Sequence, residues 1–106
     1  MGNSATALTE AVYYILLSLV EPRHGYAIMQ HVEAMSRGRL RICAGTMYGA
    51  LSGLIEKGWI EPMEGAGESR KKEYRITAAG RAALEAEFGR LHELVASGEA
   101  VLGPGR

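Results

Sequence analysis

The sequence is poor in the features that would narrow it quickly. It has one cysteine, three prolines, one tryptophan and one phenylalanine in 106 residues, and no net charge. The single thiol, Cys43, cannot build an intrachain disulfide framework, which points to a reducing cytosol. As a nucleophile it would need a base and an orienting group, and the sequence supplies neither. Cys43 therefore reads as a small packing or helix-start residue, and no enzyme is expected. Neutral net charge argues against a general polyanion binder. The longest apolar run, AVYYILLSLV at residues 11–20, is about half of the ~20 residues a membrane span needs. No charged leader precedes a small-residue cleavage site, so neither a signal peptide nor a membrane partner is expected.

What is present is an uneven charge distribution on a chain that is 47% apolar. Residues 37–76 carry eight Lys or Arg against five Glu, while the flanking segments are net acidic. Seven of those eight cations fall in two clusters, Arg37, Arg39 and Arg41, then Arg70, Lys71, Lys72 and Arg75. Compact basic patches on a neutral chain look like a local phosphate footprint, with solvated surface as the plain alternative.

Apolar periodicity predicts a first helix from Thr6 to Val20, stopped by Pro22. It is apolar on two sides: Leu8, Val12, Ile15, Leu16 and Leu19 on one, Tyr13, Tyr14 and Leu17 on the other. A surface helix of a monomer needs one such face, so the second implies full burial or a partner subunit. A second helix is expected from His24 to Met35, burying Tyr26 or Ile28 with Met29, Val32 and Met35, and broken by Gly38. RLRI, Arg39 to Ile42, alternates basic with apolar residues and reads as a short edge strand. A third helix is expected over Ala44 to Lys57, with Gly58 as its stop. Two strand-like segments around the glycine turn GAGE form a hairpin, and Pro62 confines its strand to an edge. Tyr74 and Ile76 share one face of the return strand. Thr77 is placed to cap a last helix over Ala78 to Ala96, whose Leu84, Phe88, Leu91 and Val95 form an apolar stripe. The tail from Gly98 should fray. The expected architecture is mainly α with a small β-hairpin wing, a winged helix-turn-helix. Residues 1–76 make the DNA-binding domain, residues 77–97 a C-terminal dimerisation helix, and residues 98–106 a frayed tail.

HGYAI at residue 24, GTMYGAL at residue 45, LIEKGWIE at residue 54 and KKEYRITAAGRAAL at residue 71 together resemble the PadR-like transcriptional regulators, in that family's order and spacing. The resemblance implies a homodimeric winged-helix repressor that answers to a small molecule and dimerises through its first and last helices. It also implies the branch of the family with a single C-terminal helix. The chain departs from the pattern at Cys43, where serine is common, and at Ser52 and Gly53, where Lys or Arg are common.

On this reading the partners are a double-stranded DNA operator, a second copy of the chain, and a small apolar or aromatic effector, in the cytoplasm and with no cofactor. The candidate DNA contacts are Thr46, Tyr48, Gly49 and Ser52 on the third helix, Arg39 and Arg41, and Arg70, Lys71 and Lys72 on the wing. Tyr48 could equally be a half-buried packing residue. The candidate dimer contacts are Tyr13, Leu17, Leu84, Phe88, Leu91 and Val95. Tyr14, Trp59 and Phe88 could line an effector pocket or simply the core. Met47, Leu51, Leu54 and Ile55 should face the core, which leaves Gly45, Gly49 and Gly53 outward. Either DNA approaches the helix closely there, or that face has little to read. Two rivals stand beside this reading. One is a winged-helix protein-interaction module with weak or lost DNA reading. The other is a metal-responsive regulator using His24, His31 and Cys43, whose spacing matches no standard site.

Overall fold

The computed structural model describes residues 7–63 and 72–103. Its elements follow the order α1 (Glu10–Ser18), β1 (Arg23–His24), α2 (Gly25–Met35), α3 (Ala44–Glu56), β2 (Ile60–Met63), β3 (Glu73–Ile76) and α4 (Ala78–Leu102). The three strands form one antiparallel sheet in the order β1-β3-β2, with Ile60 opposite Ile76 and Arg23 opposite Tyr74. Pro62 sits on the edge strand β2, where its missing N–H breaks no inner ladder.

α1 is shorter than its apolar pattern. Thr9 caps it by accepting from the Val12 N–H at 3.1 Å, so the helix starts there and not at Thr6. Ser18 ends it, its hydroxyl donating back to the Tyr14 carbonyl at 3.0 Å, a bond that competes with the helical ladder. α2 is capped by His24, whose Nδ1 accepts from the Ala27 N–H at 3.4 Å. It closes through Arg37 and Gly38, both with positive φ. α3 ends at Gly58, φ 78°, with the Trp59 N–H donating to the Leu54 carbonyl at 3.0 Å, the wrap expected of a glycine stop.

Two expected elements differ. The RLRI segment is not a strand: Leu40 donates its N–H to the Ser36 hydroxyl at 3.0 Å, and the third strand of the sheet is β1. A side-chain partner four residues back satisfied the backbone locally, so no ladder was needed. The last helix does not stop at Ala96. It runs through Ser97 and Gly98 to Leu102, and Gly103 closes it with φ 97°. One glycine costs ~1 kcal/mol in a helix already propagating, less than stopping and renucleating. Residues 98–102 are therefore helix and not a frayed tail. The glycine turn of the hairpin lies outside the described residues.

The core is built from Ile15, Leu16 and Leu19 of α1 and its end, Ile28 and Val32 of α2, Met47, Leu51 and Leu54 of α3, and Ile60, Tyr74 and Leu84. Ile28 is the α2 residue that is buried, while Tyr26 is 60% exposed. Ile55, expected inside, is at the rim and exposed, because the row Met47–Leu51–Leu54 already fills the α3 contact.

The elements converge at Thr77. Its N–H donates to the Trp59 carbonyl at 2.9 Å and its hydroxyl to the Gly58 carbonyl at 2.6 Å. The same hydroxyl accepts from the Gly80 N–H at 3.1 Å, capping α4. Gly80 is pressed against this junction: a Cβ there would lie 2.8 Å from the Trp59 carbonyl carbon. Because that obstacle is backbone, Gly80→Ala is expected to destabilise the fold by ~1–3 kcal/mol. A urea midpoint equal to that of the parent protein would show that the junction yields freely.

Candidate nucleic-acid interface

The outward face of α3 is short-chained because Met47, Leu51 and Leu54 turn inward, while Tyr48 and Ile55 lie exposed at its sides. Gly45, Thr46, Gly49 and Ser52 are exposed, and Gly53 is half-buried. A Cβ added at Gly45, Gly49 or Gly53 would meet nothing within 4 Å. Among the described residues no neighbour therefore requires glycine at those positions. At the start of the helix, Cys43 makes no side-chain cap. Its thiol lies 3.3 Å from the Thr46 hydroxyl, and that bond lowers the thiol's ionisation from its usual range.

Tyr48 stands apart from the glycines. It is half-exposed, and its phenol lies over the first turn of α2, where Gly25 leaves room for it. Lys72, entering β3, is exposed beside it, and Tyr26 projects from α2 on the same side. The structure thus brings Tyr48 and Lys72 together, while Arg70 and Lys71 lie outside the described residues. Tyr26 was missed by sequence reasoning, which left it as a core alternative to Ile28. Residues two apart on a helix point ~200° away from each other, so burial of Ile28 already implied exposure of Tyr26.

The first basic cluster is placed differently from expectation. Arg39 pairs with Glu10 at the start of α1, and Arg41 pairs with Glu33 of α2 at 3.2 Å. Arg39 holds the Glu10 carboxyl below the ordinary carboxylate range. With no strand to impose a common direction, these two arginines are tied to carboxylates of the protein itself. On the return strand Arg75 likewise holds Glu61 at 2.6 Å, and among the described residues no carboxylate pairs with Lys72.

Within one protomer the expected effector residues lie apart. Tyr14 lines a cleft of about 320 Å³ between α1 and α4, with Leu8, Glu10, Tyr13, Glu87 and Arg90. Trp59 is elsewhere, under the Lys57 ammonium at 4.7 Å, and Phe88 packs beside His92 on the outer side of α4. Within the cleft, Arg90 grips the buried Glu87 with two hydrogen bonds of 2.8 and 2.7 Å, which lowers that carboxyl's pKa. The three metal candidates are also apart in role. His24 caps α2, His31 meets the Ser18 hydroxyl at 3.2 Å, and Cys43 meets Thr46. Among the described residues no three ligating side chains gather.

A helix pair with one face open to the groove, and a lysine-bearing hairpin strand beside it, define a winged helix-turn-helix DNA-binding protein. Residues 14–86 match the model of the transcriptional regulator PadR-like family. The chain belongs to that family, whose members regulate transcription by binding DNA. It is 39% identical over 79 residues, 74% of its length, to an uncharacterized 37.1 kDa protein in transposon TN4556 of Streptomyces fradiae, and spans 22% of that protein. Among solved structures it is similar to a PadR family transcriptional regulator from Eggerthella lenta DSM 2243. That pair shares 26% identity over 89% of this chain and 82% of the other, with a TM-score of 0.69. A PadR family transcription regulator from hypervirulent Clostridium difficile R20291 shares 25% identity over 87% of this chain and 98% of the other, with a TM-score of 0.70. Among the described residues no helix is long and apolar enough to cross a membrane.

Since no described neighbour needs the α3 glycines, the double change Gly49→Ala and Gly53→Ala is expected to raise stability by ~1–2 kcal/mol. Thermal melting measures that gain. Duplex titration in parallel tells which outcome follows: affinity falls if DNA approaches the bare helix closely, and holds if that face is merely empty.

Proposed function

We propose that the chain is a homodimeric, ligand-responsive repressor that acts in the cytoplasm on a pseudo-palindromic operator. The observation that carries the dimer is α4. Its 25 residues span about 37 Å at 1.5 Å per residue, and of these the protomer buries only Gly80, Leu84 and Glu87, all in its first part. Leu84 is therefore spent on the protomer's own core and is withdrawn as a dimer contact. Beyond it Phe88, Leu91, Val95, Gly98 and Leu102 recur at alternating three- and four-residue steps, the seam of a coiled coil. Phe88, Val95 and Leu102 are each about 60% exposed, and a monomer gains nothing by leaving such a row in water. Tyr13 and Leu17 are half-buried against the core and would meet the partner only along their outer edges.

Two reading helices related by a twofold axis would enter successive major grooves, with half-sites ~10 bp apart or a multiple. The wing residues Arg70, Lys71 and Lys72 would hold phosphates, and Thr46 and Ser52 would reach base edges. The α1–α4 cleft supports the effector reading. It touches both the proposed dimer helix and, through Glu10, the arginine just ahead of α3. A small aromatic molecule seated there could bias the separation of the two reading heads, provided it binds one arrangement more tightly than the other.

Val95→Asp puts a charge in the seam without touching the protomer core. Sedimentation is expected to show a folded monomer, and operator-length duplex binding is expected to drop by at least tenfold as the two half-sites lose their linkage. A dimer that persists with this change would refute the assignment of α4.

A further inference from the structure

The start of α2, the middle of α3 and the first residues of β3 enclose a cleft of about 250 Å³. It is lined by His24, Gly25, Tyr26, Tyr48, Lys72 and Tyr74. This lining has one full positive charge, three phenol hydroxyls and no carboxylate. Tyr74 is more than nine-tenths buried, and among the described residues nothing hydrogen-bonds its hydroxyl. Burial and the neighbouring Tyr48 push its ionisation up, so it stays a protonated donor. The first turn of an α-helix leaves N–H groups without helical partners, and His24 takes only that of Ala27. Gly25 completes the cleft. A Cβ there would come within 2.9 Å of the Tyr48 ring carbon bearing the hydroxyl, so a side chain at that position would push the phenol away.

We propose that this cleft seats one phosphate of the DNA backbone, held by the hydroxyls of Tyr26, Tyr48 and Tyr74 and by the Lys72 ammonium. The inference rests on the DNA-binding reading above and changes one part of it: Tyr48 is a backbone contact and not a base reader. A base edge offers donors and acceptors in a plane and is read by a side chain reaching outward. Here donor-bearing residues from three separate elements line one concavity, an arrangement that fits a compact anion. Lys72 supplies charge, while the phenols supply direction. A clamped phosphate sets the height and tilt of α3 over the groove. That role matters here because the exposed face of the helix carries only glycine, threonine and serine.

The test compares the parent protein with single variants on two short duplexes of unrelated sequence, over a range of salt. Tyr26→Phe and Tyr48→Phe keep both rings, which are exposed, and matching thermal melts confirm that the fold is kept. Each is expected to weaken both duplexes equally, by ~5-fold or more, with the salt slope unchanged because a hydroxyl carries no charge. Lys72→Gln is expected to lower the slope by about 1. Gly25→Ala, which displaces the phenol, should weaken binding at least as much as Tyr48→Phe. Phenylalanine variants that bind both duplexes like the parent overturn the proposal, and so does a loss confined to one duplex, which would mean base reading. Variants that lose binding of inorganic phosphate, followed by tyrosine fluorescence, yet keep duplex affinity would assign the cleft to a free phosphate and overturn it too. A parent protein that binds neither duplex at any salt removes the DNA-binding reading itself, a separate and recognisable failure.

Discussion

The structure depends on a single crowded contact, the meeting of Thr77 and Gly80 with the Gly58–Trp59 backbone. Four hydrogen-bonding groups are satisfied there by one residue and its neighbours. The end of α3, the start of β2, the end of β3 and the start of α4 are thereby fixed to one another. Backbone groups removed from water must be paired, and Thr77 pairs them with a side chain that also caps a helix. The consequence reaches both functional ends of the molecule. The angle at which the reading helix leaves the core and the angle at which the long α4 departs are set at the same place.

Charge is divided with the same economy. Arg39, Arg41 and Arg75 each hold a glutamate, so net neutrality of the chain is also local neutrality over much of its surface. Exposed pairs of this kind contribute little stability, ~0–1 kcal/mol each. Among the described residues they leave Lys72, beside α3, outside these pairs. A neutral protein can bind DNA under those conditions because attraction at short range depends on where charges stand, and salt screens the rest.

The Glu10–Arg39 pair gives the α1–α4 cleft a physical connection to the loop that leads into α3. Glu10 lines the cleft and Arg39 lies in that loop. The cleft also contains a second, better-formed pair, Glu87 with Arg90, held by two hydrogen bonds on a buried carboxylate. One pair is exposed and easily exchanged, the other is anchored in the protein. A ligand entering between them would find the outer pair the cheaper one to break, since removing the partner of a buried charge is the costlier change.

Local rules in the sequence were enough for most elements. The Thr77 cap, the Gly58 stop, the edge position of Pro62 and the Tyr74 face of β3 all follow from groups within a few residues of each other. So did the family, because its motifs are carried by contiguous residues. What local rules could not supply were choices made by distant partners. β1 exists because β3 lies beside Arg23 and His24, and no pattern of two residues announces that. No local pattern announced that Arg39 and Arg41 would pair with Glu10 and Glu33. Trp59 and Phe88 share aromatic character with Tyr14, yet within the protomer neither lines its cleft. The glycines of α3 were visible at once as outward-facing, yet only the packing showed that no described neighbour requires them, while Gly25 and Gly80 are the glycines that tertiary contact demands. Sequence by itself determined the helices, the wing and the kind of protein, since periodicity and capping act over a few residues. Tertiary structure decided which charges are paired, which apolar residues stay exposed, and which tyrosines share a cleft, since those depend on distances between residues far apart in the chain.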